Sequence, residues 1–424
     1  MRSLTVRRQM AGIVLLTGLA GTPTLAQQHA DDIGARLLQL PAIAAAVTAA
    51  DDLEPWVQEQ QVALCEIPAP PFKEQARGQA YRRLFEQLGL ANVRVDSVGN
   101  VLGERVGSGA GPHLVFSAHL DTVFPEGTDV RVTRRGSRLI GPGIADDCRG
   151  LAVLLGVVRA LRDARVTTPG RITFVGTVGE EGLGDLRGVK QLFGPQGPGA
   201  IDRFVSIDGD GLDVTNGGVG SKRYRVTFKG PGGHSYGAFG LPNPIHALGR
   251  AMAAIGDLQV PTRPKTTFNV GRVGGGTSVN SIPYEAWMEV DLRSEAAASL
   301  ADLDARVRKV VETAVAAENA RWAHAQRVTV ELELVGDRPA GRTADTSDIV
   351  RAAASVLRAL RLPVLNDSSS TDANVPMAKG IPAITIGGGG RATGAHSLEE
   401  SFDTTDAVQG LRRAILLAVA LTQP

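Results

Sequence analysis

The chain has 424 residues, of which 45 are basic and 44 acidic, so its formal net charge is +1. Two domains are expected, because single hydrophobic cores usually stop growing at roughly 250–300 residues. The near-neutral balance, without a run of like charge, argues against a nucleic-acid-binding surface, which needs a concentrated basic stripe.

The first 26 residues have the layout of a secretory signal peptide. Arg2, Arg7 and Arg8 precede a short apolar run, and small residues follow as far as Ala26. The run is too short to span a bilayer, and no later segment has the roughly 18 consecutive apolar residues that a span needs. We therefore expect an exported protein, periplasmic or secreted, with no membrane span after cleavage. A frayed N-terminal helix is the alternative, and the general and twin-arginine export routes both stay open.

Hydrophobic periodicity predicts two helices and three strands in the next part of the chain. These elements are Asp52–Cys65, Gln75–Leu88, Val93–Asp96, Val101–Arg105 and the buried strand His113–Ala118. Cys65 and Cys148 are too few for a disulfide framework, and the sequence leaves their pairing open.

The buried strand is followed directly by a histidine and an aspartate, His119 and Asp121. Open α/β sheets place their ligand sites just past the carboxyl ends of strands. The spacing suits a metal-binding imidazole with a carboxylate close by to orient it. Taken alone, such a pair is more often an ordinary loop pair, so further ligands must come from elsewhere in the chain.

Other acidic residues and a histidine follow predicted apolar strands in the same way. The strands and these residues are Arg171–Val178 with Glu180 and Glu181, Arg203–Ile207 with Asp208, and Ala383–Ile386 with His396. Parallel strands would bring all these ends to one edge of a sheet. A mixed set of imidazoles and carboxylates suits zinc, and bridging carboxylates suit two metals. Separate structural roles for these residues are the alternative.

Two more aspartates, Asp146 and Asp147, lie in the glycine-rich loop Gly141–Gly150 before an apolar helix predicted at Leu151–Leu161. Aspartate at this position commonly caps a helix, because its carboxylate accepts a hydrogen bond from the first turn. The sequence alone favours that structural role over metal binding.

A block between Val219 and Val335 has a different character. Its predicted elements are the strands Lys222–Lys229, Thr266–Val273, Glu285–Arg293 and Arg327–Val335, with helices at Pro244–Leu258 and Ser299–Ala317. The order strand–helix–strand–strand–helix–strand is the ferredoxin-like arrangement. Because His396 lies beyond it, we interpret residues 219–335 as an insertion. The first domain would then comprise residues 27–218 and 336–424.

Taken together, the motifs resemble the dinuclear zinc exopeptidase and deacylase family that includes carboxypeptidase G, acetylornithine deacetylase and tripeptide aminopeptidase. The resemblance covers nearly all of the mature chain. The motifs that carry it are, in order, S-A-H-L-D-T-V-F, G-P-G-I-A-D-D, G-T-V-G-E-E-G, S-I-D-G, G-P-G-G-H-S, T-S-V-N-S-I-P, S-T-D-A-N and G-A-H-S-L-E-E.

The resemblance implies an α/β fold. Its catalytic domain would have a mixed, largely parallel sheet flanked by helices, with an inserted ferredoxin-like dimerisation or lid domain. Two zinc ions would bind per chain, and cobalt or manganese could substitute. His119 and Asp208 would bind one ion, Glu181 and His396 the other, and Asp146 would bridge both.

The resemblance also implies catalytic roles for two further acidic residues. Asp121 would hold His119 in place from behind. Glu180 would be the general base that takes a proton from the water between the metals and returns it to the leaving amine. The peptide bond that follows Asp146 would be cis.

Three residues of the insertion have implied roles at the substrate. His234 would reach the site of a neighbouring subunit and stabilise the developing oxyanion, which implies a homodimer through the inserted domain. Asn280 and Arg293 would hold a carbonyl or carboxylate of the substrate. From the residues alone, a buried or capping role for His234 and a surface-charge role for Arg293 stay open.

The predicted function is a metal-dependent hydrolase of C–N amide bonds, an exopeptidase of di- and tripeptides. Aspartate at position 208 favours the peptidases of the family. The alternatives are an N-acyl-amino-acid deacylase and a non-catalytic metal- or peptide-binding protein on this fold. A nucleotide site is excluded, because Gly217–Lys222 departs from the phosphate-loop pattern. A serine hydrolase is a further alternative, but the one G-x-S-x-G pattern of the sequence, Gly233–Gly237, lies in the inserted block and overlaps the motif G-P-G-G-H-S.

Overall fold

The computed structural model describes residues 32–109, 111–322 and 324–424. The predicted signal peptide lies outside these ranges. Within them, no helix combines the length and the apolar character needed to cross a membrane.

The chain forms an α/β structure with two main sheets. The elements before the second sheet are α1 (32–37), α2 (Pro41–Thr48), α3 (Ala50–Cys65), α4 (Gln75–Gln87), β1 (Ala91–Val95), β2 (Val101–Arg105), β3 (Leu114–His119), β4 (Thr133–Arg135), β5 (Arg138–Ile140), α5 (Cys148–Asp163), β6 (Ile172–Thr177), α6 (Arg187–Leu192), β7 (Arg203–Ile207) and β8 (Val214–Gly218).

The remaining elements form the second sheet and complete the first. They are β9 (Gly220–Lys229), β10 (Gly233–His234), α7 (Pro244–Gly256), β11 (Thr266–Gly275), β12 (Ser281–Ile282), β13 (Glu285–Ser294), α8 (Ala297–Trp322), β14 (Thr329–Arg338), β15 (Gly341–Arg342), α9 (Asp348–Ala359), β16 (Asn366–Ser369), α10 (Asn374–Ala378), β17 (Ala383–Ile386), β18 (Arg391–Thr393), β19 (Ser401–Asp403) and α11 (Val408–Ala420).

The larger sheet is mixed, with the strand order β1-β2-β6-β3-β7-β17-β8-β15 and with β16 beside β8. Its four central strands, β6, β3, β7 and β17, are parallel. Antiparallel pairs extend it on both sides. The predicted mixed, largely parallel sheet is therefore confirmed.

Helix α5 lies in the main core, packed against β3, α3 and α11. The side chain of Asp147 caps its start by accepting a hydrogen bond from Gly150 N at 2.9 Å. The same carboxylate accepts a hydrogen bond from His119 N at 3.0 Å. The capping role considered for the aspartate pair is thus correct for Asp147, which also ties the end of β3 to the start of α5.

A buried ion pair crosses this core. Arg149 Nη1 lies 2.8 Å from Glu54 Oε1, and the guanidinium also donates to Gly388 O and Ala407 O. The arginine thereby ties helix α3 to two loops near the carboxyl ends of the central strands.

Replacing Glu54 with alanine should lower the free energy of unfolding by about 3–5 kcal/mol, because it leaves the buried guanidinium without its counter-charge. Urea unfolding followed by far-UV circular dichroism measures the change. The matched control is Glu86→Ala, which breaks the exposed pair with Arg82 and should cost less than about 1 kcal/mol. Equal losses for the two variants would contradict the prediction.

The second sheet is antiparallel, with the order β11-β13-β9-β14, and helices α7 and α8 pack on it. Strand β9 alternates between the two faces, with Tyr224, Val226 and Phe228 buried. The observed order β9-α7-β11-β13-α8-β14 is the predicted ferredoxin-like one. The exact domain limits stay a prediction.

A small, separate antiparallel sheet has the strand order β18-β19-β5-β4. The loop between β18 and β19 carries His396. Cys65 and Cys148 are both buried and have free thiols.

Candidate active site

The predicted ligands converge at the carboxyl edge of the parallel strands. His119 is the last residue of β3, Glu181 follows β6, and Asp208 follows β7 directly. These three strands are neighbours in the sheet. Asp146 precedes α5, and His396 comes from the β18–β19 loop. The cluster therefore combines residues at the ends of three strands with one residue from the loop before α5 and one from the β18–β19 loop.

Asp146 lies between the two histidines. Its Oδ1 is 2.9 Å from His119 Nε2, and its Oδ2 is 3.1 Å from His396 Nε2. His396 Nε2 is also 3.1 Å from Glu181 Oε1, and His119 Nε2 is 3.9 Å from Asp208 Oδ1. The structure thus brings all five predicted metal-binding residues together.

Asp121 supports this cluster from the buried side. Its carboxylate accepts hydrogen bonds from Glu180 N at 3.0 Å and Glu181 N at 2.8 Å. His119 Nδ1 lies 3.0 Å from the backbone oxygen of Asp121 and 3.7 Å from its carboxylate. When Nδ1 donates to that carbonyl, Nε2 keeps its lone pair for a metal.

Glu400 holds the loop that carries Asp146. Its carboxylate accepts hydrogen bonds from the backbone N–H groups of Gly143, Ala145 and Asp146, at 2.9–3.2 Å. The peptide bond between Asp146 and Asp147 is cis, as predicted. Glu400 belongs to the motif G-A-H-S-L-E-E, but the sequence analysis found no role for it.

The carboxylates of the site repel one another. Burial, followed by the charge of Asp146, raises the pKa of Asp208 to about 7. Burial would raise the pKa of Asp146 as well, but hydrogen bonds to His119 and His396 outweigh it and lower that pKa. Hydrogen bonds to Asp146 and then Glu181 raise the pKa of His396 to about 10. Such crowding of buried charge is costly unless positive charge compensates it.

The donor set fits a metal. Ligand atoms of His119, Asp146 and Glu181 all lie within 4.8 Å of one another. Asp208 and His396 add a further carboxylate and a further imidazole at the distances given above. Two imidazoles with three carboxylates are a set that divalent transition metals accept, and the charge of a cation there would oppose both the burial and the repulsion by Asp146 that raise the pKa of Asp208.

A cavity of about 460 Å³ lies over the cluster. Glu180 lines it together with Asp146, Glu181, Asp208 and His396. Burial raises the pKa of Glu180 well above its ordinary value, and the nearby charge of Arg338 acts in the opposite direction. The cavity wall also includes Arg223, Arg293 and several hydroxyl side chains.

Of the three residues of the insertion that were predicted to contact the substrate, one lines the cavity and two do not. Arg293 lines the cavity, and its Nε donates to Asp291 at 2.7 Å. His234 is exposed on β10, and Asn280 is next to it, since Ser235 N donates to Asn280 O at 2.9 Å. His234 and Asn280 do not line this cavity.

The buried interpretation of His234 is wrong, because the residue is exposed. The capping interpretation fits its Nδ1, which accepts hydrogen bonds from the backbone N–H groups of Tyr236 and Gly237.

Besides Glu400, the sequence analysis missed two further residues near the site. Arg338, at the end of β14, forms a buried ion pair with Glu180. Asp372 accepts a hydrogen bond from Thr177 Oγ1 at 2.5 Å, and burial raises its pKa to about 6. Asp372 lies in the quoted motif S-T-D-A-N, which was its only signal. Arg338 lies in none of the motifs.

Comparisons with known proteins place the chain in a family. The model of "Peptidase family M20/M25/M40" matches residues 115–420. The chain is 27% identical over 345 residues to succinyl-diaminopimelate desuccinylase of Nitrosospira multiformis, which covers 76% of this chain and 86% of that protein. It is 34% identical over 113 residues to carboxypeptidase G2 of Pseudomonas sp. strain RS-16, which covers 25% of this chain and 27% of that protein.

Solved structures share the fold. Aminopeptidase PepT of Bacillus cereus superposes with a TM-score of 0.70 at 19% identity, covering 87% of this chain and 98% of that one. The di-peptidase Dug1p of Saccharomyces cerevisiae has a TM-score of 0.69 at 15% identity, covering 89% and 98%. Because the family model spans the chain from β3 to α11, the chain belongs to peptidase family M20/M25/M40 and is a metal-dependent hydrolase.

Proposed function

We propose that the chain is a zinc-dependent exopeptidase that hydrolyses the C–N amide bonds of di- and tripeptides. One observation carries the proposal. Asp146 presents one carboxylate oxygen to His119 and the other to His396, at the floor of a cavity that Glu180 also lines.

Two zinc ions per chain are part of the proposal. His119 and Asp208 would hold one, Glu181 and His396 the other, and Asp146 would be shared by both. Cobalt or manganese could substitute. Zinc bound there would supply Lewis acidity, which polarises the scissile carbonyl and lowers the pKa of water.

Glu180 is the proposed general base and acid. It takes the proton of the attacking water and passes it to the leaving amine. Its environment supports this role, because Asp121 accepts from its backbone N–H and Arg338 donates to Oε1. Glu181, the next residue, has its carboxylate 3.1 Å from His396 Nε2. This contact supports metal binding by Glu181 and proton transfer by Glu180.

A deacylase of N-acyl amino acids is the second candidate. Arg223 and Arg293 line the cavity, and guanidinium groups bind carboxylates in a two-pronged manner, as an acidic acyl chain would require. A relative is named a succinyl-diaminopimelate desuccinylase.

A panel of dipeptides, tripeptides and N-acyl amino acids, assayed with zinc-loaded protein, separates the candidates. Fastest cleavage of unmodified peptides supports the exopeptidase. Fastest cleavage of N-succinyl or N-acetyl amino acids replaces it with the deacylase. Zinc binding without hydrolysis of any compound would favour a non-catalytic binding protein on this fold.

Export is a further part of the proposal. The basic, apolar and small-residue segments that end at Ala26 support cleavage there, with a periplasmic or secreted product. N-terminal sequencing of the protein from separated cell fractions tests it, and an intact Met1 in the cytoplasmic fraction would refute it.

A homodimer formed through the inserted domain would explain why His234 and Asn280 lie outside the cavity of their own chain. His234→Ala should then lower kcat strongly without changing the zinc content, because the histidine would stabilise the oxyanion in the partner's site. Mixing this variant with Glu180→Ala should restore activity in heterodimers that contain one intact composite site. Light scattering gives the mass of the assembly, and a monomer or an inactive mixture would contradict the prediction.

A further inference from the structure

Arg338 makes an unusual set of contacts with Glu180. It is the last residue of β14 and only 4% of it is exposed. Its Nη1 donates to Glu180 Oε1 at 3.1 Å, and its Nη2 donates to the backbone oxygen of the same glutamate. Ser370 Oγ accepts a third, longer bond at 3.3 Å.

These contacts fix the glutamate as a whole residue. The planar guanidinium presents its donors in a fixed fork, so two acceptors on one residue are held in a defined relation. Asp121 accepts from the N–H of Glu180 at 3.0 Å. The N–H, the C=O and Oε1 of Glu180 therefore each form a hydrogen bond. Among the described residues, Oε2 has no hydrogen-bond partner, and Glu180 lines the cavity.

The surroundings of Arg338 do not satisfy all of its hydrogen-bond donors. Its Nε is buried and has no hydrogen-bond partner in the parts of the chain that the structure describes. A buried donor without a partner opposes folding. The position of the guanidinium is therefore better explained by the glutamate that it contacts than by its contribution to stability.

We propose that Arg338 is a positioning residue for the general base, holding Glu180 so that one carboxylate oxygen faces the cavity. The proposal rests on the proposed role of Glu180 in the hydrolysis. It also connects the inserted block to the chemistry, because Arg338 lies where the chain leaves β14, paired with Ser221 of β9.

The test uses Arg338→Met and Arg338→Lys in the zinc-loaded, full-length mature protein, with the fastest-cleaved compound of the panel as substrate. Arg338→Met should lower kcat about 10- to 100-fold, which is less than the whole contribution of a general base. KM should stay within about twofold, because the interaction acts on the reaction step and not on substrate binding. Lysine should recover part of the loss. Elemental analysis should find unchanged zinc in both variants.

The matched control is Arg342→Met. Arg342 lies four positions further along the chain, pairs with Asp345 and is more than half exposed in its side chain. Its loss should leave kcat, KM and zinc content unchanged. A similar fall in kcat for this variant would overturn the proposal, since the effect would not be specific to the contact with Glu180.

A double-mutant cycle separates positioning from a general structural role. In a Glu180→Ala background, Arg338→Met should cause no further loss of the residual rate, because the group that it positions is gone. An equal loss in both backgrounds, a raised KM with unchanged kcat, or a loss of zinc would each overturn the proposal. If the methionine variant does not fold, the lysine variant enters the same cycle. Failure of the proposed function is seen separately, as full activity of Glu180→Gln with Arg338 intact.

Discussion

Glu180→Gln is expected to lower kcat by about 10²–10⁴-fold, the usual contribution of a general base, while the zinc content stays unchanged. The amide keeps the size of the side chain and can still accept from Arg338, whose Nη1 lies 3.1 Å from Oε1. It cannot take a proton from water at neutral pH. The site would therefore keep its shape and lose only the proton transfer.

Steady-state rates on the best panel substrate and elemental analysis of the same protein batches measure the two effects together. Glu181→Gln is the matched comparison, because it makes the same chemical change one residue further on. That variant should lose zinc, since the Glu181 carboxylate lies against His396. If Glu180→Gln loses zinc and Glu181→Gln keeps it, the roles of the two glutamates are exchanged. If Glu180→Gln keeps full activity, another residue moves the proton.

The sequence was sufficient to locate the cluster because the central strands are buried on both faces. β3, β6 and β17 are therefore continuous runs of buried residues with clear ends. A polar residue just past such an end must lie at the carboxyl edge of the sheet. His119, Glu181 and Asp208 could be recognised in this way, and their mutual distances follow from the neighbouring positions of β6, β3 and β7.

Contacts between distant segments could not be predicted in the same way. Arg338 is 158 residues from Glu180 along the chain, and nothing local indicates that the end of β14 turns towards the active site. The strand was predicted to end at Val335, but its pairing with β9 continues to Arg338 opposite Ser221. Tertiary pairing, and not the local pattern, sets where this strand ends.

One short strand and one helix end could not be predicted from the sequence, for a similar reason. β8 has the sequence V-T-N-G-G, which has no apolar alternation, and it forms because β15, β16 and β17 pair with it. Helix α8 was predicted to end at Ala317 but continues to Trp322. The buried carboxylate of Glu318 accepts hydrogen bonds from Asn243 N and Trp322 Nε1, which holds the last turns in place.

Asp146→Ala is expected to have the other large effect, a loss of bound zinc together with a fall in kcat of about 10³-fold or more. Each oxygen of Asp146 lies beside a different histidine. One substitution therefore removes a ligand from both proposed positions. The fold should remain, because Asp147 and not Asp146 caps α5.

Asp210→Ala is the matched control for this variant. Asp210 lines the same cavity, but its Oδ2 accepts a hydrogen bond from Ala392 N at 2.7 Å and it is not among the proposed ligands. That variant should keep its zinc. Dialysis against metal-free buffer, elemental analysis and thermal unfolding separate loss of metal from loss of fold. Two zinc ions retained by Asp146→Ala would refute a shared ligand at this position. One ion retained would mean that Asp146 is essential to only one of the two positions, since the other would still bind zinc through a histidine and a second carboxylate.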